Sequence, residues 1–257
     1  MKNIATTVAR QRRIVGTPRL KPNSLIELHI PSSFQWIQSS DGNTKFLMYD
    51  AGSDADKNRF LIFSTEKNLS ILQDCEDIFS DGTFSITPNL FEQLYSIHGN
   101  VHGSIFPLVY VLMPSKKQHL YEEALTEIRK LAPNFNPHTI MTDFEKASIN
   151  AYENIFTGIS HRGCFFHLSQ CIWRRLQRIS EARKRYCSDP DFARNCHMIG
   201  ALAFVPPEDV VTAFEKLEQS DFIAENDCLM ELLCYFEANY IGKVTSSGRK
   251  TPLFPIK

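Results

Sequence analysis

The sequence predicts an α/β fold in which a five-stranded mixed sheet carries helices on both faces. Two observations predict it: the element order β-β-β-α-β-α-β-α along residues 76–186, and the short links between the first three strands. Strands joined by tight turns pair antiparallel, whereas strands joined through a helix pair in parallel with right-handed crossovers. Three antiparallel strands followed by two helix-linked strands therefore build a mixed sheet covered by helices.

Each element of this core has a local signal. The segments 77–86, 91–99 and 104–113 read as strands, separated by Thr87-Pro-Asn and by 99–103. Apolar residues at helical spacing predict a helix over 120–131, which Pro133 ends. A strand at 139–142, a helix over about 144–156, a strand near 161–166 and a long helix from His167 complete the order.

Three further blocks surround the core at 76–186. Residues 1–25 are basic, with no acid before Glu27, and predict a disordered tail; a nuclear address or a DNA-contacting arm remains open. Residues 26–75 predict a β-rich lead, with strand-like pieces at 25–30, 46–49 and 60–63. Residues 187–257 predict a helical insertion, and we expect it to be truncated because the apolar tail at 253–256 calls for a packing partner.

Composition narrows the class of protein. The chain has 257 residues, 43% of them hydrophobic, and a formal net charge of −1, which is ordinary for a globular protein and gives no bulk attraction to nucleic acid. Seven irregularly spaced cysteines do not suggest a disulfide framework, so we expect a reducing compartment, nuclear or cytoplasmic. No segment reads as a secretory signal or a membrane span, and no membrane partner is expected.

Two aspartates occupy matching settings. Asp81 lies in the first strand of the core, and Asp143 directly follows the strand at 139–142. The predicted crossover sets these strands side by side, and paired carboxylates are ligands that Mg²⁺ accepts. Such a site could promote phosphoryl transfer. Two structural alternatives stay open: Asp81-Gly82 could form a turn, and Asp143 could cap the following helix.

The segment after Asp143 adds two features. Cys164 and His167 have a Cys-x-x-His spacing that permits a shared metal, although a core pair at a strand-to-helix junction is the favoured interpretation. The helix from His167 is amphipathic, and its polar side is rich in arginine. That side is either a solvated face or a surface for nucleic-acid phosphates. The candidate contact residues are Arg174, Arg175, Arg178 and Arg185.

Four ordered motifs resemble the transposase domain of Mutator-like elements (MULE). They are Asp81-Gly-Thr-Phe, Pro88-Asn-Leu-Phe-Glu-Gln-Leu-Tyr, Met141-Thr-Asp-Phe-Glu-Lys-Ala and Gly163-Cys-Phe-Phe-His. The resemblance implies an RNase H-like fold of the DDE superfamily that cuts and joins DNA with Mg²⁺ or Mn²⁺. It makes Asp81 and Asp143 the first two catalytic, metal-binding acids, and Cys164 and His167 the family's Cys-x-x-His element. The implied partners are transposon-end DNA and a second copy of the chain, with no small-molecule substrate.

The third acid of the family triad has no counterpart in the sequence. In similar proteins it lies in an Asn-Asn-x-x-Glu-like stretch beyond a Pro-Leu-Phe-Pro segment, which here is residues 252–255. The glutamates present at 181, 208, 215, 231 and 237 lie in no matching motif. We therefore expect a transposase domain whose catalysis is impaired. The alternative is a non-catalytic transposase remnant that binds DNA or protein.

Overall fold

The computed structural model describes residues 22–40 and 42–255, so most of the predicted basic tail lies outside the described residues. The chain forms a mixed α/β structure around a seven-stranded sheet of order β3-β4-β7-β6-β5-β8-β9. The strands from β3 to β5 in this order pair antiparallel, and β5, β8 and β9 pair in parallel. The strands are β1 Trp36–Ser39, β2 Gly42–Lys45, β3 Leu47–Asp50, β4 Leu61–Phe63, β5 Asp77–Thr83, β6 Gln93–Val101, β7 Ser104–Met113, β8 Thr139–Thr142, β9 Ser160–Gly163, β10 Val244–Thr245 and β11 Gly248–Arg249.

Helices connect the strands and then form a separate group after β9. The α-helices are α1 Ser32–Gln35, α2 Glu66–Gln73, α3 Gln118–Leu131, α4 Lys146–Ile155, α5 Phe165–Arg178, α6 Ser180–Ser188, α7 Pro190–Ala201, α8 Val210–Glu218, α9 Asp221–Ala224 and α10 Met230–Phe236. A π-helical turn, Glu237–Ile241, extends α10. Within the described part of the chain, no helix has the length and apolar character needed to cross a bilayer.

Two hydrophobic clusters hold these elements together. The first lies under one face of the sheet, where β-strand residues such as Ile78 and Ile97 pack against α2, α3 and α4. The second is all-helical and joins α5 to α8, α10 and the π-turn through residues such as Leu168, Phe214 and Phe236. Since strand side chains alternate between faces, Asp81 and the half-buried Phe79 project from the face opposite the first cluster.

The sheet has two more strands than the five predicted. All five predicted strands are present and adjacent, and β3 and β4 extend their edge because β4 pairs antiparallel with β7. The predicted strand at 25–30 is a turn instead. Its carbonyls at Leu25 and Leu28 accept hydrogen bonds from the buried Arg59 guanidinium, both at 2.7 Å, rather than from a neighbouring strand.

Three further local differences have simple causes. Helix α2 was not predicted, although Thr65 caps it by accepting from the Asn68 amide at 3.1 Å. The long helix predicted from His167 ends at Arg178, because Ile179 adopts an extended conformation and α6 begins anew. The predicted loop after residue 245 contains the turn and the second strand of the hairpin β10–β11. None of these differences moves the strands that carry Asp81 and Asp143.

Candidate metal centre and nucleic-acid surface

Asp81 lies inside a strand and not in a turn. It belongs to β5, paired with Ser96 of β6, and its side chain is 49% exposed. Packing explains why a glycine follows at position 82, because a Cβ there would lie 2.6 Å from Oε1 of Gln93. The side-chain amide of Gln93 is buried and donates to the Tyr121 hydroxyl. The Asp-Gly pair therefore marks a close approach within the sheet, and the turn interpretation of the sequence is wrong.

Asp143 lies beside Asp81 because β5 and β8 are parallel neighbours. The register pairs Asp77 with Thr139 and Phe79 with Met141. Continued two residues further, the same register sets Asp143 opposite Asp81, at the carboxyl-terminal ends of both strands. Asp143 does not cap α4, since that position is Glu145, whose amide donates to Asp143 Oδ1 at 3.3 Å.

The environment of Asp143 disfavours its charge. Burial raises the pKa of its carboxyl above the usual range, and the neighbouring carboxylates Glu145 and Asp81 raise it further. His167 and the Glu145 amide act in the opposite direction without cancelling the rise. Glu145 itself pairs with Lys116 at 3.4 Å. Two mutually repelling carboxylates, one of them desolvated, form a site that a cation would stabilise.

His167 belongs to this site. It lies in the first turn of α5, and its Nε2 is 3.5 Å from Asp81 Oδ1, while its Nδ1 is buried without a hydrogen-bond partner among the described residues. Helix α5 begins here because the Cys164 amide donates to the Thr142 carbonyl at 2.9 Å, which extends the β8–β9 pairing to the helix start. The sequence indicated His167 as a site residue through its spacing from Cys164, and the structure places it next to the Asp81 carboxylate.

Cys164 lies next to the site but belongs to no larger group of potential metal ligands among the described residues. No group of three or more His, Cys, Asp or Glu side chains there is close enough to hold a metal ion. The shared-metal interpretation of the Cys-x-x-His spacing stays a prediction, and Cys164 lines a cavity beside Asp143. The carboxylate pair supplies the right donor chemistry for Mg²⁺ or Mn²⁺, but few ligands.

An aromatic contact fixes the segment that carries Asp143. The Phe144 ring packs edge-on against Tyr240 and Phe254, with ring centroids 5.2 and 5.1 Å apart. It also lies directly over Gly163 of β9, where a Cβ would be 2.8 Å from two ring atoms. A larger residue at 163 would therefore displace the ring, and with it the residue next to Asp143. Sequence reasoning did not single out Phe144, because a lone phenylalanine gives no such signal.

Polar groups on the opposite face of the sheet support β5. The buried Tyr95 hydroxyl donates to Ser80 Oγ at 2.7 Å and lies 2.8 Å from Ser148 Oγ, which links β5, β6 and α4 directly behind Asp81. Burial raises the pKa of Tyr95 well above its usual range. On the site face, Ser96 and His98 are hydrogen-bonded at 2.9 Å, and burial lowers the pKa of His98 although Asp81 opposes that shift.

The four candidate arginines fall into two groups. Arg175 pairs with Glu231 at 2.9 Å and stacks on Tyr235, and Arg185 bonds Asn226 and stacks on Phe192, so both are engaged inside the helical group. Arg174 and Arg178 are exposed, one turn apart on α5. Arg174 bonds only Gln170, and Arg178 has no polar partner among the described residues. Only this second pair is free to contact an external phosphate.

The glutamates considered as a third acid lie elsewhere. Glu231 pairs with Arg175, and Glu215 and Glu237 both pair with Arg249 at 2.7 and 2.9 Å. Glu181 and Glu208 are exposed on the helical group. Each engaged glutamate would have to break an ion pair to act as a ligand.

A model of the MULE transposase domain family matches residues 78–171. The matched segment runs from β5 to the middle of α5, so it contains Asp81, Asp143, Cys164 and His167 and ends before the arginines. The resemblance drawn from the sequence motifs is confirmed for this segment. Such domains generally have the fold of the RNase H-like DDE superfamily. A search of curated proteins gave no match to the chain.

Proposed function

We propose that this chain, similar to MULE transposases over residues 78–171, holds a divalent-metal site for DNA phosphodiester chemistry. The observation that carries the proposal is the parallel β5–β8 register, which sets Asp143 opposite Asp81. The RNase H-like identity of the central five strands is part of this proposal. Their spatial order, with the two helix-linked strands beside β5, supports it.

Each site residue has a role in the proposal. Asp81 and Asp143 would hold Mg²⁺ or Mn²⁺, which when bound would supply the positive charge that activates a water or 3′-hydroxyl and stabilises the attacked phosphate. His167 restrains Asp81 through their 3.5 Å contact. The Lys116–Glu145 pair and Phe144 fix the start of α4, and thereby the orientation of Asp143. Transposon-end DNA is the substrate class that the family similarity suggests.

We further propose that catalysis is impaired. Among the described residues no group of three or more His, Cys, Asp or Glu side chains could hold a metal ion, and the nearby Glu145 is paired with Lys116. Two carboxylates hold a metal less firmly than three, and loss of one supporting ligand lowers activity by orders of magnitude. Slow, metal-dependent cleavage is thus the expected behaviour of the chain.

A metal-dependence assay tests the proposal. Purified chain should nick supercoiled plasmid slowly in Mn²⁺, and Asp81→Asn and Asp143→Asn should each abolish the nicking. Asp77→Asn is the matched control, because Asp77 is an exposed aspartate on the same strand, four residues earlier, that accepts a hydrogen bond from Thr139. Equal nicking by the control and both site variants would overturn the metal-site proposal.

The second candidate function is DNA binding without catalysis, which the free arginines favour. Arg174→Gln with Arg178→Gln should weaken DNA binding and flatten its salt dependence, since each lost phosphate contact lowers the slope by about one. Arg194→Gln on α7 is the control, an exposed arginine whose neighbour is Asp191 at 3.3 Å. DNA binding that depends on this arginine pair, without Mn²⁺ binding or nicking, would favour the non-catalytic function.

A further inference from the structure

A large aromatic cavity opens beside the carboxylate pair. Its volume is about 710 Å³, within the roughly 300–1,000 Å³ of small-molecule sites. It lies between the β8–β9 edge of the sheet, the start of α5 and the helical group. Met141, Phe144 and Cys164 line it, so the cavity begins next to Asp143 and less than one helical turn from His167.

Aromatic rings form the mouth of this cavity. Phe204 is 73% exposed and Phe166 is 63% exposed, although both line the cavity wall. Phe165 packs on Phe204 with ring centroids 4.8 Å apart. Leaving such rings in water forgoes the gain from burying apolar surface, so a flat apolar ligand placed against them would bind favourably.

The rim of the cavity carries positive charge. Lys146, at the start of α4, and Arg162, on β9, are both exposed lining residues without an ion-pair partner among the described residues. Glu153, His161, Cys164 and Tyr240 are the other ionisable lining residues. A ligand that satisfies both the rings and the rim is flat, aromatic and attached to an anion, which is the chemistry of a nucleotide.

We propose that this cavity binds one unpaired nucleobase of the DNA strand whose phosphodiester lies at Asp81 and Asp143. The inference rests on the proposed function, because that function supplies the strand. The base stacks on Phe166 and Phe204, and its flanking phosphates lie against Lys146 and Arg162. A base inside an intact duplex cannot reach these rings without leaving the stack, so the cavity selects DNA that is unpaired or opened at the reaction point.

Fluorescence of 2-aminopurine in a DNA oligonucleotide tests the cavity directly. The probe is a hairpin with one unpaired 2-aminopurine, measured in EDTA so that the readout is independent of metal. Wild-type chain should quench this fluorescence, and Phe204→Leu or Phe166→Leu should weaken binding about tenfold, as loss of one base–aromatic stack does. Phe106→Leu is the matched control, a phenylalanine 50% exposed on β7 that does not line the cavity.

The outcomes separate this inference from the proposed function. Unchanged binding in both cavity variants, or equal losses in Phe106→Leu, would overturn the cavity proposal. An equal loss on the fully paired duplex would also overturn it, because no base is then free to enter. Absence of Mn²⁺ binding at the aspartates with normal quenching would overturn the metal site alone, and the reverse pattern would overturn the cavity alone. Arg162→Gln should also weaken binding of the hairpin with the unpaired 2-aminopurine.

Discussion

Substitution of Gly163 by alanine should disturb the metal site through Phe144. The new Cβ would lie 2.8 Å from the ring, whereas ordinary contacts begin at 3.4 Å, so the ring must retreat by about 0.6 Å. Overpacking of this kind costs about 1–3 kcal/mol. Since metal–ligand distances tolerate only about 0.2 Å, a comparable shift at the adjacent Asp143 should weaken Mn²⁺ binding by at least about tenfold.

Two further variants separate this mechanism from a general loss of stability. Gly158→Ala adds the same side chain elsewhere, at a position whose φ is 79°, and its Cβ meets no atom within 4 Å. It should cost about 1 kcal/mol and leave the Mn²⁺ affinity unchanged. In Gly163→Ala combined with Phe144→Leu, the smaller side chain relieves the clash, and the double-mutant cycle in urea should show coupling above about 0.5 kcal/mol.

Mn²⁺ affinity measured by calorimetry is the deciding readout for this cycle. If Gly163→Ala binds Mn²⁺ as tightly as Gly158→Ala does, Phe144 does not position Asp143. Additive stability effects in the cycle would refute the clash itself.

Three other predictions concern stability. Asp50→Ala breaks the two-bond pair with the buried Arg59 and should lower the free energy of unfolding by about 3 kcal/mol. Burial raises the pKa of Asp50, but the hydrogen bonds from Arg59 and Gly52 outweigh burial and lower it overall. The wild-type advantage, measured by denaturation across pH, should therefore be full above about pH 3.8 and disappear as pH falls through the lower folded pKa. Asp143→Asn should raise the melting temperature of the metal-free chain at pH 7, because it removes a carboxylate whose pKa burial raises. This difference in melting temperature should shrink as pH falls, and Mn²⁺ should stabilise only the wild type. Gly242→Ala should cost at least about 2 kcal/mol, because the position has a φ of 95° and its Cβ would meet the Lys250 carbonyl at 1.8 Å, and limited proteolysis should then cut residues 243–255.

The central strands were predictable because their signals are local and strong. Strands β7 and β8 have the predicted bounds, because turn residues precede each strand and a helical pattern follows it. Helix α2 lacked such a signal, because only Leu69 and Leu72 of its eight residues are buried. The turn at 25–30 depends on a buried arginine more than 30 residues away, which no local pattern reveals.

The candidate site was predictable only as far as topology fixes it. The crossover order brought Asp81 and Asp143 to adjacent strands, and parallel pairing bears this out. The positions of the arginines depended on tertiary packing instead. Helical periodicity separates apolar from polar residues, but it cannot tell Arg175, which stacks on Tyr235, from the free Arg178. The cavity is built from distant segments at 141–168, 202–210 and 236–255, so no single motif announces it.

Direct titration of Mn²⁺ into the full chain, followed by electron paramagnetic resonance, tests the central claim most directly. The account predicts one saturable site that is present in wild type and in Asp77→Asn, and that is lost in Asp81→Asn and in Asp143→Asn. Retention of the same site in Asp81→Asn or in Asp143→Asn would contradict the account. Absence of any saturable Mn²⁺ site in the wild-type chain would contradict it equally.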